Sequence, residues 1–357
     1  MEDPPAPSDT TSATSAAAAA ALTRDLFITA FIFTGQNGFG HDVDPFLALC
    51  RETWAEEVLW DAVKDLPHGC VRREGPTTQG ATKPFGFDLG PCSAKRTRLM
   101  FAAQKGDVAR LRWLSARGVR LELKDWKGRT ALHWASKVGR VETVRELLLR
   151  GAAVDAATND GATPLFIASE NGHLEVVREL LARGAAVDAA TNSGFTPLYI
   201  ASEKGHFEVV RELLARGAAV NAAMNDGATP LFIASQNGHL EVVRELLARG
   251  AAVDAVNNNG TTPLYIASQK GHLEVANELL SRGAAVDSIL TGPGLEPHFV
   301  SSTPLYVASH FGHAGVVRAL LLRGAAVSHA SSSGDTPLSR ALAENRAEVV
   351  ALLRAAV

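Results

Sequence analysis

From about residue 97 onward the apolar positions fall into pairs of short runs, each spaced for one helix face and parted by polar turns. The stretch 158–190 shows the pattern in full. Leu174, Val176, Val177, Leu180 and Leu181 recur at helical spacing and predict one amphipathic helix. A shorter helix precedes it. Thr163 is placed to cap that helix with its hydroxyl, and Pro164 suits the first helical position because its φ is already fixed. Leu165, Ile167 and Ala168 face neighbours, and the small Ala168 and Ser169 let helices approach closely. Asn171-Gly172 ends this helix and His173 leads into the next. Glu179 and Arg183 lie four apart on the solvent side, an arrangement that adds a few tenths of a kcal/mol, roughly 0.2–0.5. Gly184 supplies the left-handed residue that closes the second helix, and the tail from Ala185 projects as a turn.

The same unit returns on a fixed beat. Thr-Pro-Leu recurs every 33 residues at Thr163, Thr196, Thr229 and Thr262, then at Thr303 and Thr336, with proline-free versions at Thr97 and Thr130. One helix pair cannot bury its apolar face alone, whereas stacked pairs bury it between neighbours. The pattern therefore predicts an all-α solenoid of helix-turn-helix units with projecting β-turn loops across 97–357. End units need polar outer faces. Arg354 and Asn345 mark the last unit as one, and Arg98, Arg110, Arg112 and Arg117 mark the first, leaving about six full units between two caps. From Pro263 to Pro304 the step is 41 residues, so eight extra residues enter within 290–302. Two readings stand there: a tolerated surface loop, or an added finger carrying His298 and Phe299 toward a ligand.

The signature running from Gly-x-Thr-Pro-Leu through Gly-His to Gly-Ala resembles the ankyrin-repeat family over about 260 residues. The histidine that follows Thr-Pro-Leu in that family survives only at His133; Phe166, Tyr199, Phe232, Tyr265 and Tyr306 stand elsewhere, so aromatic packing is expected in place of the imidazole links. The resemblance implies a non-catalytic protein-interaction scaffold whose turn tips and first helices line a concave groove. Its variable surface positions map here to Trp126, Arg129, Lys137, Glu170, Asn171, Phe195, Glu203 and Lys204, then to Gln236, Asn237, Gln269, Lys270, His310 and Phe311, with Phe299 added from the insertion. Trp126, Phe195 and Phe311 are the expected anchors, because aromatic side chains dominate such interfaces. The resemblance also implies that Asn221 can be hydroxylated, since it takes the asparagine of the Gly-Ala-x-Val-Asn-Ala segment where other units carry Asp155, Asp188, Asp254 and Asp287.

Ahead of the repeats, residues 1–22 are rich in Pro, Ser, Thr and Ala and are expected to be disordered, and 67–96 read as a Gly/Pro-rich linker. Residues 23–66 predict a small helical segment. Its Leu-x-x-Cys-x-x-x-Trp and Leu-Trp order at Leu47, Cys50, Trp54, Leu59 and Trp60 is similar to an F-box, although the Leu-Pro opening is absent. That likeness implies an alternative function: a substrate receptor of a cullin-type ubiquitin ligase, docking on the ligase adaptor through 23–66 and choosing its target through the repeats. Without it, the segment is a helical cap or satellite domain.

Composition narrows the remaining classes. A net charge of -3 over 357 residues lacks the basic excess of a dedicated nucleic-acid binder. Cys50, Cys70 and Cys92 form no CxxC pair, which fits free thiols in a reducing compartment. No signal peptide is visible, and the apolar run Leu26–Phe33 is far shorter than the ~20 residues a membrane helix needs. A cytoplasmic or nuclear monomer is expected. His173, His206, His239, His272 and His313 recur once per unit, as structural residues do, rather than in metal-ligand spacing. No nucleotide-binding or hydrolase motif appears, so neither catalysis nor a cofactor or metal is expected.

Overall fold

The computed structural model describes residues 96–292 and 299–356. The expectations for 1–22, for the helical segment 23–66, for most of 67–96, for the three cysteines and for His298 lie outside the described residues. The chain divides into two units, the second of which is Leu99–Val357.

Among the described residues there are sixteen α-helices and no strands. They come as eight pairs. The first helices are α1 (Arg98–Lys105), α3 (Ala131–Val138), α5 (Pro164–Glu170), α7 (Pro197–Lys204), α9 (Pro230–Asn237), α11 (Pro263–Lys270), α13 (Pro304–Phe311) and α15 (Pro337–Ala343). Their partners are α2 (Val108–Ala116), α4 (Val141–Leu149), α6 (Leu174–Ala182), α8 (Phe207–Ala215), α10 (Leu240–Ala248), α12 (Leu273–Ser281), α14 (Ala314–Leu322) and α16 (Ala347–Ala355). First helices pack on first helices and second on second. The first helices pack together more extensively than the second, and we call the side that carries them and the tips the inner side.

Local chemistry sets each boundary. The Thr163 hydroxyl accepts the Phe166 N–H at 3.2 Å from an extended backbone, and Pro164 follows. Gly184 sits at φ +84°, with its N–H on the Leu181 carbonyl and the Ala185 N–H on that of Leu180, the paired bonds that close a helix through a left-handed residue. After the first helix of the last pair, Asn345 takes the left-handed place that Gly172 holds after α5, at φ +57°, which asparagine tolerates better than most residues.

Leu165, Ala168, Val176, Val177 and Leu180 are fully buried, and their counterparts repeat along the stack. The aromatic row does replace most imidazole links. Phe166 packs with Ala162, Ile167 and Ile200, while Tyr199 packs with Ala228, Phe232, Ile233 and Ile266. At this position of the unit, His133 keeps an imidazole link. Its Nδ1 accepts the Thr130 N–H at 3.1 Å, so its Nε2 carries the proton and donates to the Ala162 carbonyl at 3.1 Å.

The insertion leaves the unit's closure intact. In an ordinary unit the Thr191 N–H donates to the Phe195 carbonyl; here the Leu290 N–H donates to the Ser302 carbonyl at the same 3.0 Å. Gly292 is required at this point, since a Cβ there would collide with the Asn259 backbone carbonyl.

Candidate protein-interaction face

Four rows of bonds link successive units, although not every junction carries all four. At the tips, Asn159 donates to the Trp126 carbonyl, Asn192 to Asn159, Asn225 to Asn192 and Asn258 to Asn225, at 3.0–3.3 Å. Behind them, Asp155, Asp188, Asn221 and Asp254 each accept a backbone N–H from the following unit. Between the helices of a pair, His173, His206, His239, His272 and His313 donate Nε2 to a carbonyl at the end of the preceding first helix, at 2.9–3.1 Å. Arg346 performs the same task in the last unit, reaching the His310 carbonyl at 3.1 Å. Each of these imidazoles lies so close to the glycine that ends the first helix of the unit before, from Gly139 by His173 to Gly271 by His313, that a Cβ there would collide with the ring.

The fourth row runs along the second helices. Glu179 takes Arg183 from its own helix and Arg145 from the unit before; Glu212 takes Arg216 and Arg178; Glu278 takes Arg282 and Arg244. Arg112 and Arg150 hold Glu146 in the same way, and the Arg112 hydrogen bond draws its carboxyl below the usual range. The pairing with Arg183 follows from helical spacing. The one with Arg145 lies 34 residues back and becomes visible only when one repeat period is added to one residue.

Against this monotonous outer side, the inner side varies. Lys137, Glu170, Lys204, Asn237, Lys270 and Phe311 are exposed at the first-helix ends, with Asn171, Glu203, Gln236, Gln269 and His310 half-buried beside them. Trp126 stands at the first tip with 54% of its surface exposed. Three other expected contact residues turn inward. Arg129 is 14% exposed; it pairs with Asp125 at 2.9 Å and lies over the Trp134 ring, where it clasps the tip together. Phe195 is half-buried, wedged between two aromatic clusters and edge-on to Tyr199 at 5.3 Å. Phe299 packs against Tyr265, Leu290 and Val307, and edge-on to His310 at 5.4 Å. Asn221 is exposed, its Oδ1 held by the Ala252 N–H.

Burial shifts one histidine and three tyrosines away from neutral pH. His133 is pushed down to about 4, and Tyr265 up to about 12 despite a 2.9 Å hydrogen bond to Ser302; Tyr199 and Tyr306 are also raised. Among the described residues no group of three His, Cys, Asp or Glu side chains could hold a metal ion, and no helix is long and apolar enough to cross a membrane.

Family models for ankyrin repeats match residues 79–158, 139–224 and 219–289, and a single-repeat model matches 302–332. No curated protein sequence matches significantly. Among solved structures, the human ASB11 ankyrin repeat domain aligns with a TM-score of 0.56 and 31% identity, over 64% of this chain and 98% of that one. In all 585 solved chains match, so the likeness identifies an architecture rather than a partner.

Proposed function

Because the chain belongs to the ankyrin-repeat family, we propose that it is a non-catalytic scaffold that binds a partner protein along the inner face of residues 97–357. One observation carries this reading. The outer side repeats an Arg–Glu pattern with an interruption at Arg211, whereas the exposed side chains of the inner side change from unit to unit on a backbone tied by bonds between units. A rigid surface with variable side chains binds with little ordering cost and discriminates between partners. Trp126 and Phe311, the exposed aromatics of that side, are its anchors, and we place the protein in cytoplasm or nucleus. Affinity capture with mass spectrometry on the full chain and on Trp126→Ala and Phe311→Ala tests this. The partners should be lost from at least one variant that melts like the parent; unchanged capture from both would remove the inner face from the account.

The F-box likeness of 23–66 favours a second reading, in which the same face recruits the target of a ubiquitin ligase. Adaptor and cullin subunits would then be captured by the full chain and lost from a chain beginning at residue 95. Hydroxylation at Asn221 is proposed alongside, and peptide mass spectrometry showing no added oxygen there would remove it.

A further inference from the structure

Charge is not spread evenly along the stack. Residues 96–140 carry twelve Lys and Arg against three Asp and Glu, a net +9, whereas 141–292 carry eleven against eighteen, a net -7. The three acids of the first segment are all engaged. Asp107 caps α2 through the Arg110 N–H, Glu122 accepts the Ala153 N–H, and Asp125 holds Arg129 and the Trp134 indole N–H. No carboxylate among the described residues pairs with Lys105, Lys124, Lys127 or Lys137, all exposed. Farther along, by contrast, Arg145, Arg178 and Arg244 are matched by glutamates of the next unit. Lys124 donates its Nζ to the Ala157 carbonyl at 2.9 Å, and the other three lie beside aromatic rings, Lys105 at 5.7 Å from the centroid of Phe101. Lys127 lies 4.8 Å from the centroid of the exposed Trp126 ring, and Lys137 lies 5.9 Å from that of Trp134.

We propose that Lys105, Lys124, Trp126, Lys127 and Lys137 form a docking subsite for a short acidic segment of a partner protein. The segment's carboxylates meet the lysines and an apolar side chain covers Trp126. This rests on the scaffold reading above and names the chemistry of what one end of the inner face takes.

The neighbouring unit limits the length of that segment. One period on, Lys127 is replaced by Asp160 and Lys137 by Glu170, so the sign of the surface inverts within one helix-to-helix spacing, roughly 10 Å. An extended peptide rising about 3.3 Å per residue fits three or four acidic residues into that span before a polar or basic one becomes favourable. Duplex DNA, with one charge per about 1.7 Å, would carry its phosphates onto Asp160 and Glu170. The pattern therefore favours a peptide.

Selection of a phage-displayed random dodecapeptide library on the full chain tests the proposal. In parallel the selection is run on Lys127→Asp/Lys137→Glu, which installs the residues of the next unit and so suits the same backbone. Enriched peptides should carry three or four acidic residues beside an aromatic or aliphatic one. Their affinity, read by fluorescence polarisation, should fall at least roughly tenfold in the double variant and more steeply at low salt than at high. Trp126→Asn, again the residue of the next unit, should weaken them several-fold with the melting curve unchanged. Recovery of no peptides, of peptides without acids, or of peptides bound equally by the double variant would overturn the subsite. A DNA duplex bound more tightly than the peptides, and released by the same variant, would overturn it in favour of nucleic acid. If the subsite fails while Phe311→Ala still loses captured partners, the scaffold reading stands without it; if both fail, the inner face carries neither.

Discussion

Replacing Gly205 by alanine tests the lock between successive units. Gly205 closes α7 at φ +74°, a conformation that costs a residue with a Cβ about 1–2 kcal/mol. The added Cβ would also fall 2.6 Å from Nδ1 of His239, closer than real Cβ contacts come, so the ring of the next unit would have to leave. With it goes the 2.9 Å bond from His239 Nε2 to the Glu203 carbonyl, worth about 1 kcal/mol. Gly205→Ala should therefore cost about 2–3 kcal/mol in urea unfolding. Hydrogen exchange should place the loss at the junction between α7 and α10. His239→Ala separates the two causes: in that background the glycine substitution should cost only its backbone share, about 1–2 kcal/mol. An undiminished cost in that background would mean that the ring plays no part. A cost below about 0.5 kcal/mol in the parent would refute the lock altogether.

Other perturbations test other parts of the stack. Buried His133 titrates near 4 instead of 6.5, so the unfolded chain takes up a proton that the native one does not. Its contribution is complete above pH 6.5 and is lost as pH falls toward 4, of the order of 3 kcal/mol in all; His133→Phe should flatten the stability–pH slope in that window. Phe195→Ala empties a half-buried wedge between two clusters and should cost about 2 kcal/mol in thermal or urea melts, so lost binding in that variant would not report a contact. Glu212→Gln breaks pairs with Arg178 and Arg216, both more than 40% exposed, and should cost under about 1 kcal/mol, shrinking with salt. Asn221→Asp keeps an acceptor for the Ala252 N–H, as Asp188 does for Ala219, and should leave the melting temperature nearly unchanged.

The helices and their caps could be read from the chain because each depends on residues within one unit, and the aromatic row because one residue type recurs at one position per unit even though its packing crosses units. Thr163, Pro164 and Gly184 specify their turns locally, and Asn345 announces a left-handed position by standing where glycine stood. The rows between units were harder, because each needs a partner about one period away, as Arg145 needs Glu179. The candidate face was legible as a set of positions, but not in depth. Arg129 looks like a surface cation until Asp125, four residues earlier, is seen to draw it in, and Phe195 turns inward between two apolar clusters that contain Ala162 and Ala228, the small residues at its position in the units before and after. The charge inversion from Lys127 to Asp160 was present in the letters; comparing the same position across units, rather than averaging charge over the chain, reveals it.

The rows of bonds have a consequence for how this chain can change its length. The units 158–190 and 224–256 lie 66 residues apart and differ at three positions, Thr158/Met224, Glu170/Gln236 and Ala190/Val256. A crossover between their coding sequences would excise 158–223 and leave no mismatched seam. Arg145 would meet Glu245 instead of Glu179, the Trp126 carbonyl would receive Asn225 instead of Asn159, and Asp155 would receive the N–H of Ala252 instead of Ala186. The same interchangeability gives a folding chain a choice of partners for each unit, so that a correctly bonded neighbour can still be the wrong one. Stack length is thus an open variable of this sequence, while its two distinctive ends, the basic first units and the aromatic region around Phe311, stay fixed and move nearer or farther apart as units are lost or gained.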